Sequence, residues 1–351
     1  MDDDGAVPIV DAADLSYEAF CAQFMARNRP VIITNVGADW PARVEWCDRS
    51  GLRLETLSAR YGHALAPVVG KSTKYGDESR DDVAVATYLD WLASGQAEAD
   101  QLYLKDWHFT RDFPKDRIYT TPKYFADDWL NWWWDEKAAA LSATSVGLDD
   151  YRFVYLGPRG SFTPLHHDVF QSYSWSINMT GQKEWLLFPP SETPKLLDKF
   201  GRVVLSNFQE IDPVQFPRAH TAKHLRVLQP PGAALFVPSG WYHQVTNTAT
   251  TLSINHNWFN AYNLPLIWAY FQEQLVAVER EIEHCRDGFD SDSDWILHCQ
   301  LLLRANIGMD FNELCALLEA RAAISTAPFD VAQIYQVLGP LRVHPAINSS
   351  K

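Results

Sequence analysis

The chain has 351 residues, of which 47% are hydrophobic and 21% charged, a composition that supports a large folded core and argues against disorder. Its formal charge of −14 speaks against a nucleic-acid surface, which is normally basic, and no run approaches the roughly 18 uninterrupted apolar residues that span a membrane. Five scattered cysteines (Cys21, Cys47, Cys285, Cys299, Cys315) without a CxxC unit suggest reduced thiols and exclude a disulfide frame or a structural zinc cluster.

The first residues, Met1-Asp2-Asp3-Asp4, are acidic and lack an apolar stretch, so they are not expected to act as a secretory signal. Residues 14–27 read as a helix capped near Asp14 or Ser16, and Pro30-Val31-Ile32-Ile33-Thr34 as a short β-branched strand. Val83 to Ser94 reads as a second helix and Leu102-Tyr103-Leu104 as a strand. Residues 125–140, with Trp132-Trp133-Trp134, read as a loop or short helix packed on a sheet. Between Tyr151 and Phe259 the pattern becomes short strands broken by Gly and Pro, as in a sandwich or barrel. Within it, Thr180-Gly181-Gln182 reads as a hairpin turn. From Leu264 helical periodicity returns, in segments expected at 264–285, 293–306, 311–322 and 330–338. Without a sustained heptad, these are expected to cap the β core ahead of forming a dimer surface.

One run dominates the chemistry: Thr163-Pro164-Leu165-His166-His167-Asp168, answered downstream by Gly240-Trp241-Tyr242-His243. On an extended strand His166 and Asp168 leave the same face, and a strand bearing His243 can supply a third ligand. Two imidazoles and a carboxylate on one face of a metal leave positions open, an arrangement used for Fe(II) that must bind a co-substrate and oxygen. A His-x-Asp triplet alone is common by chance. His167, between the two, is expected to point to the opposite face.

The surrounding residues carry a resemblance. Beside that run stand Gly181-Gln182-Lys183-Glu184-Trp185-Leu186-Leu187-Phe188-Pro189-Pro190 and Phe236-Val237-Pro238-Ser239-Gly240-Trp241-Tyr242-His243. Upstream lie Leu102-Tyr103-Leu104-Lys105-Asp106 and Pro122-Lys123-Tyr124-Phe125. In order, content and separation this resembles the JmjC family of 2-oxoglutarate and Fe(II) dependent oxygenases. Through Tyr151–Pro158, Ser174-Trp175-Ser176 and Ser253–Trp258 it is similar to the branch that hydroxylates a lysine of the eukaryotic translation termination factor.

The resemblance implies an α+β fold: a double-stranded β-helix, the JmjC or cupin-like jelly roll, with N-terminal helices and strands and a C-terminal helical extension. The expected divisions are an N-terminal α/β region at 1–100, the catalytic core at 101–262 and the helical region at 263–351. It implies His166, Asp168 and His243 as iron ligands, and Lys183, Tyr103 and Thr163 on the far carboxylate of 2-oxoglutarate, with Asn255 near its keto-acid end. Thr163 is a difficulty, because three residues before His166 simple pleating would turn it outward; a twist around Pro164 would be needed. Ser176, where some relatives have Asn, and Gly232-Ala233, where many have an acidic residue after the Gly, depart from the pattern. Trp241 is a candidate for shaping the pocket, and His220, His224 and His256 receive no role.

The implied cofactors are Fe(II), 2-oxoglutarate and O2, and the implied reaction is protein lysyl C-hydroxylation. The implied partner is a protein substrate presenting a lysine, a translation termination factor foremost, with no nucleic acid or membrane. The simplest address is the cytoplasm, with the nucleus also compatible. Two rivals stand beside this: N-methyl-lysine demethylation, disfavoured by the missing zinc or chromatin-reading module, and a non-catalytic β-helix that binds a peptide or protein. An intact triad together with Lys183 argues against the last.

Overall fold

Side-chain alternation along two central strands sets the layers. In Tyr173–Thr180, residues Tyr173, Trp175 and Ile177 enter one apolar cluster, while Ser174 and Ser176 line a cavity on the other face. Its antiparallel neighbour, Thr251–Trp258, sends Ile254 and Trp258 into the same cluster and Asn255 and Asn257 into the same cavity. Their register sets Ser174 opposite Asn257 and Ser176 opposite Asn255. A sheet polar on alternate buried positions needs a second layer across those positions, and the chain builds one.

The computed structural model describes residues 6–48, 51–70, 79–140 and 150–348; the acidic stretch Met1-Asp2-Asp3-Asp4 lies outside them. We number the strands of the two main sheets in chain order. They are β1 (Ile9–Asp11), β2 (Val31–Thr34), β3 (Leu65–Val69), β4 (Arg80–Ala84), β5 (Tyr103–Trp107), β6 (Arg152–Gly157) and β7 (Phe162–His166). They continue as β8 (Tyr173–Thr180), β9 (Lys183–Phe188), β10 (Leu225–Gln229), β11 (Ala234–Val237), β12 (Tyr242–Asn247) and β13 (Thr251–Trp258). A nine-stranded sheet runs β1-β2-β11-β8-β13-β6-β5-β3-β4, and a four-stranded sheet runs β10-β9-β12-β7. This is the double-stranded β-helix of an α+β protein. The N-terminal residues expected to flank the core supply four strands of its larger sheet, β1 to β4.

The corner at Thr180-Gly181-Gln182 is not the expected hairpin. β8 belongs to the large sheet and β9 to the small one, so the chain crosses between layers there. Gly181 takes φ +76 with its backbone against Thr250 and Thr251, and the Gln182 amide donates to Thr251 Oγ1 at 3.1 Å. A tight layer change of this kind suits a residue without a Cβ.

Outside the large sheet, Phe20, Phe24, Phe125, Trp175, Phe236 and Trp258 pack together. Phe20 belongs to helix α1 (Tyr17–Phe20), capped by Ser16 Oγ, which accepts from the Ala19 amide at 3.1 Å. The expected longer helix continues only as a π turn, Cys21–Met25. Helix α2 spans Val85–Ser94, and the tryptophan-rich segment forms a helix of 12 residues, α3 (Trp129–Ala140). The C-terminal helices are α4 (Leu264–Ile282), α5 (Asp292–Ile307), α6 (Phe311–Ile324) and α7 (Pro328–Arg342). They form one apolar cluster with Trp129, Phe259 and Phe170, the last only two residues past Asp168. Among the described residues no helix is long and apolar enough to cross a membrane.

Gly181→Ala tests the corner. Its Cβ would stand 2.3 Å from the Thr250 carbonyl oxygen at a positive φ, so a loss of about 2–3 kcal/mol is expected. Thermal unfolding followed by circular dichroism measures it.

Candidate metal centre

Strand β7 pairs with β12 so that His166 and His243 face each other, their ring centroids 4.2 Å apart. Asp168 lies just past the end of β7 and turns back toward them, its Oδ2 4.0 Å from His243 Nε2. One ligand atom from each of the three lies within 4.8 Å of the others. His243 is buried, and His166 and Asp168 are half-buried.

Hydrogen bonds fix the orientation of all three. His166 Nδ1 sits 2.8 Å from the Pro164 carbonyl, and His243 Nδ1 3.1 Å from that of Trp241. A carbonyl only accepts, so each Nδ1 carries a proton and Nε2 is the nitrogen left to face the cavity. Burial, with His243 alongside, holds the His166 imidazole well below its usual range and therefore neutral. The Asp168 carboxylate accepts from Ser174 Oγ on Oδ2 and from Asn257 Nδ2 on Oδ1, both at 2.7 Å. Two imidazole nitrogens and a hydrogen-bonded carboxylate are the donors that suit Fe(II) with positions left open.

The triad opens on a cavity of about 390 Å³ between the sheets. Tyr103, Thr163, Lys183 and Asn255 all line it. Lys183 is 3% exposed, with its ammonium over the rings of Tyr155 and Trp185, and among the described residues no carboxylate pairs with it. Burial and the nearby Lys105 push it down to about 7. A buried cation without an anion is costly, so this floor fits an anionic ligand. Ser176 Oγ, buried in the same wall, also lacks a partner among the described residues. Asn255 Nδ2 donates to Ser253 Oγ at 3.1 Å.

A model of the cupin-like domain matches residues 17–263. The chain is 38% identical over 319 residues to the arginine-specific demethylase JMJ20 of Arabidopsis thaliana, covering 88% of this chain and 68% of that protein. It is 37% identical over 332 residues to the 2-oxoglutarate and iron-dependent oxygenase JMJD4 of Gallus gallus, covering 91% and 75%. With JMJD4 of Homo sapiens the identity is 36% over 359 residues, covering 94% and 83%. The chain belongs to the cupin-like JmjC oxygenases that use 2-oxoglutarate and iron.

The oxygenase solves the Thr163 problem with a bulge. Between the pairs His243↔His166 and Val245↔Thr163, β7 advances three residues while β12 advances two. The extra residue restores Thr163 to the face of His166, and the displaced Leu165 amide donates to the Ser206 carbonyl at 2.8 Å. His167 points away from the cavity, between the rings of Tyr242 and Tyr270, with Nδ1 2.8 Å from the Asp168 carbonyl. Trp241 does not shape the pocket. It lies in the apolar cluster beneath β12, its indole donating to the Asn28 carbonyl at 2.9 Å, and its own carbonyl orients His243.

Ser174 and Asn257 stand inside motifs that carry the resemblance, but the sequence assigned them no role at the site. Their signal was present as polar residues at alternate positions of two otherwise apolar strands. Asn257→Ala and Ser174→Ala should each weaken Fe(II) binding by about 10- to 100-fold, the usual cost of losing a partner behind a metal ligand. Anaerobic metal titration by calorimetry measures this; unchanged affinity would mean that the two hydrogen bonds do not orient Asp168.

Proposed function

We propose that this oxygenase hydroxylates a lysine side chain of a protein, a translation termination factor being the leading candidate, and that it does so in the cytoplasm. The observation that carries the reading is the convergence of His166, Asp168 and His243 on the same cavity as the unpaired Lys183. In this reading those three residues hold the iron, Lys183, Tyr103 and Thr163 hold the far carboxylate of 2-oxoglutarate, and Asn255 lies toward the keto-acid end. When bound, iron with 2-oxoglutarate and O2 supplies the oxidation, with 2-oxoglutarate ending as succinate and carbon dioxide and one oxygen atom entering a substrate C–H bond. The choice of lysine rests on the motif resemblance at Tyr151–Pro158, Ser174-Trp175-Ser176 and Ser253–Trp258.

The chain's own contribution is binding, orientation and charge. The Nδ1–H groups of both histidines are spent on backbone carbonyls, so neither imidazole is a proton shuttle. Burial keeps the Tyr103 phenol protonated, available as a donor at the cavity floor. Ser176 and Asn255, opposed in register, offer two further polar groups in the cavity wall. Burial of these groups between the sheets strengthens each of the contacts and helps hold the reacting C–H bond in place.

The Lys183 ammonium gives a pH signature with a definite sign. An anionic co-substrate selects the charged lysine. Below about 7 that charge is already present; above it, binding must take up a proton. Affinity for 2-oxoglutarate should therefore fall by up to about tenfold per pH unit above 7, from this group alone. Anaerobic calorimetry of the metal-loaded protein at pH 6 and pH 8, in two buffers of different ionisation heat, should find proton uptake only at pH 8. Lys183→Met should abolish the uptake.

A second reading draws on the Arabidopsis relative, named as an arginine-specific demethylase. The same cavity would then oxidise an N-methyl carbon. One experiment separates the two: mass spectrometry of termination-factor fragments carrying lysine or methylated arginine, incubated with the Fe(II)-loaded protein, 2-oxoglutarate and air. Gain of one oxygen on lysine, absent in His166→Ala, is the expected result. Loss of methyl from arginine without oxygen on lysine would replace it with the second reading.

A further inference from the structure

The metal cavity communicates with a second cavity of about 370 Å³, and the two share Asp106, Tyr155, His166, Asp168 and Asn257. The outer cavity has aromatic walls, Tyr151, Phe153 and Tyr155, against which an alkyl stem can lie. Three carboxylates face it. Asp168 is committed to Ser174, Asn257 and the metal cluster. Asp150 is 11% exposed and accepts from His108 Nδ1 at 3.1 Å, Thr110 Oγ1 at 2.9 Å and Arg152 at 3.2 Å. Asp106 differs: Oδ1 accepts from the Tyr155 hydroxyl at 2.7 Å, while among the described residues Oδ2 meets only the Arg80 guanidinium, at 3.1 Å through one nitrogen. The Arg80 side chain is 55% exposed, so that pair is loosely held.

The backbone spends conformational strain to put Asp106 there. Between Leu104↔Leu156 and Trp107↔Val154, β5 carries one more residue than β6, and Asp106 takes φ +56. The bulge lets the adjacent Lys105 and Asp106 both reach the metal cavity, which regular alternation would forbid. Charge is therefore sorted by depth, with Lys183 and Lys105 in the inner cavity and Asp106 at its junction with the outer one.

We propose that Asp106 reads the charge of the substrate: its carboxylate takes the ammonium or guanidinium of the side chain that enters between the aromatic walls, displacing Arg80. This rests on the reading of the chain as an oxygenase of protein side chains, and it assigns the residue that selects among them. Anchoring the cationic head there fixes which carbon of the stem faces the triad.

The test uses the Fe(II)-loaded full chain and termination-factor peptides with lysine, arginine or norleucine at the target position, norleucine being lysine without its ammonium. For the wild type, kcat/KM is expected to favour the cationic peptide over norleucine by about 100-fold. Asp106→Asn keeps the shape and tolerates the left-handed backbone, so it should fold, and it should bring the ratio within about threefold. An unchanged ratio in the folded variant overturns the assignment. If that variant does not fold, Arg80→Gln decides: removal of the competing guanidinium should raise the ratio several-fold, and no change overturns the proposal. Oxidation of arginine but not lysine discards the lysyl reading while leaving Asp106 to be judged by the arginine-to-norleucine ratio. Oxidation of none, or of norleucine as readily as the cations, removes the charge-reading role.

Discussion

The structure depends on holding one carboxyl group, Asp168, at the junction of two sheets. A polar group there needs its lone pairs occupied, and Ser174 Oγ and Asn257 Nδ2 occupy two of them at 2.7 Å. These donors are directly opposed on β8 and β13, so the register of the two central strands is also the geometry of the clamp. A one-residue slip of either strand would turn its own donor into the apolar cluster and take that hydrogen bond from Asp168. Register, core packing and metal geometry are in this sense a single constraint.

The C-terminal helices enter through the same carboxylate. Immediately after Asp168 the chain turns through Phe170 at φ +57 and Gln171 at φ +54. A bulky residue holds a left-handed conformation only where its surroundings over-determine it. Phe170 stacks on Phe271 of α4, with centroids 5.6 Å apart and planes 19° from parallel, and meets the edge of Tyr151 at 5.6 Å. The helical region thus supports the turn that ends the ligand-bearing segment.

Much of this was legible in the sequence, for physical reasons that differ by residue. His166 and Asp168 stand two apart, so an extended strand puts both on one face, and the flanking motifs point to His243; strands β9 and β11 announce themselves by apolar and aromatic residues between Gly and Pro. β3 and β4 were not legible. Leu65-Ala66-Pro67-Val68-Val69 contains a proline, and Arg80-Asp81-Asp82-Val83-Ala84 is mostly charged, as suits β4 at the sheet's edge. The Gly181 corner misread as a hairpin because a glycine turn looks the same whether the strands it joins pair or part. The partners of Asp168 were hidden because Ser174 and Asn257 are 83 residues apart in sequence and meet only through register.

The failures of simple pleating have a common cause. Alternation gives the cavity every second residue of a strand, and this site needs more than that from two of its strands. On β7 the bulge at Pro164 and Leu165 adds Thr163 to a face that already carries His166. On β5 the bulge at Lys105 and Asp106 brings two adjacent residues, of opposite charge, to one opening. Each bulge gives up ladder hydrogen bonding, and the second adds a positive φ at a non-glycine residue. Both bulges lie on strands that line the cavity, and that is why a period-two reading of the sequence loses its grip at these residues.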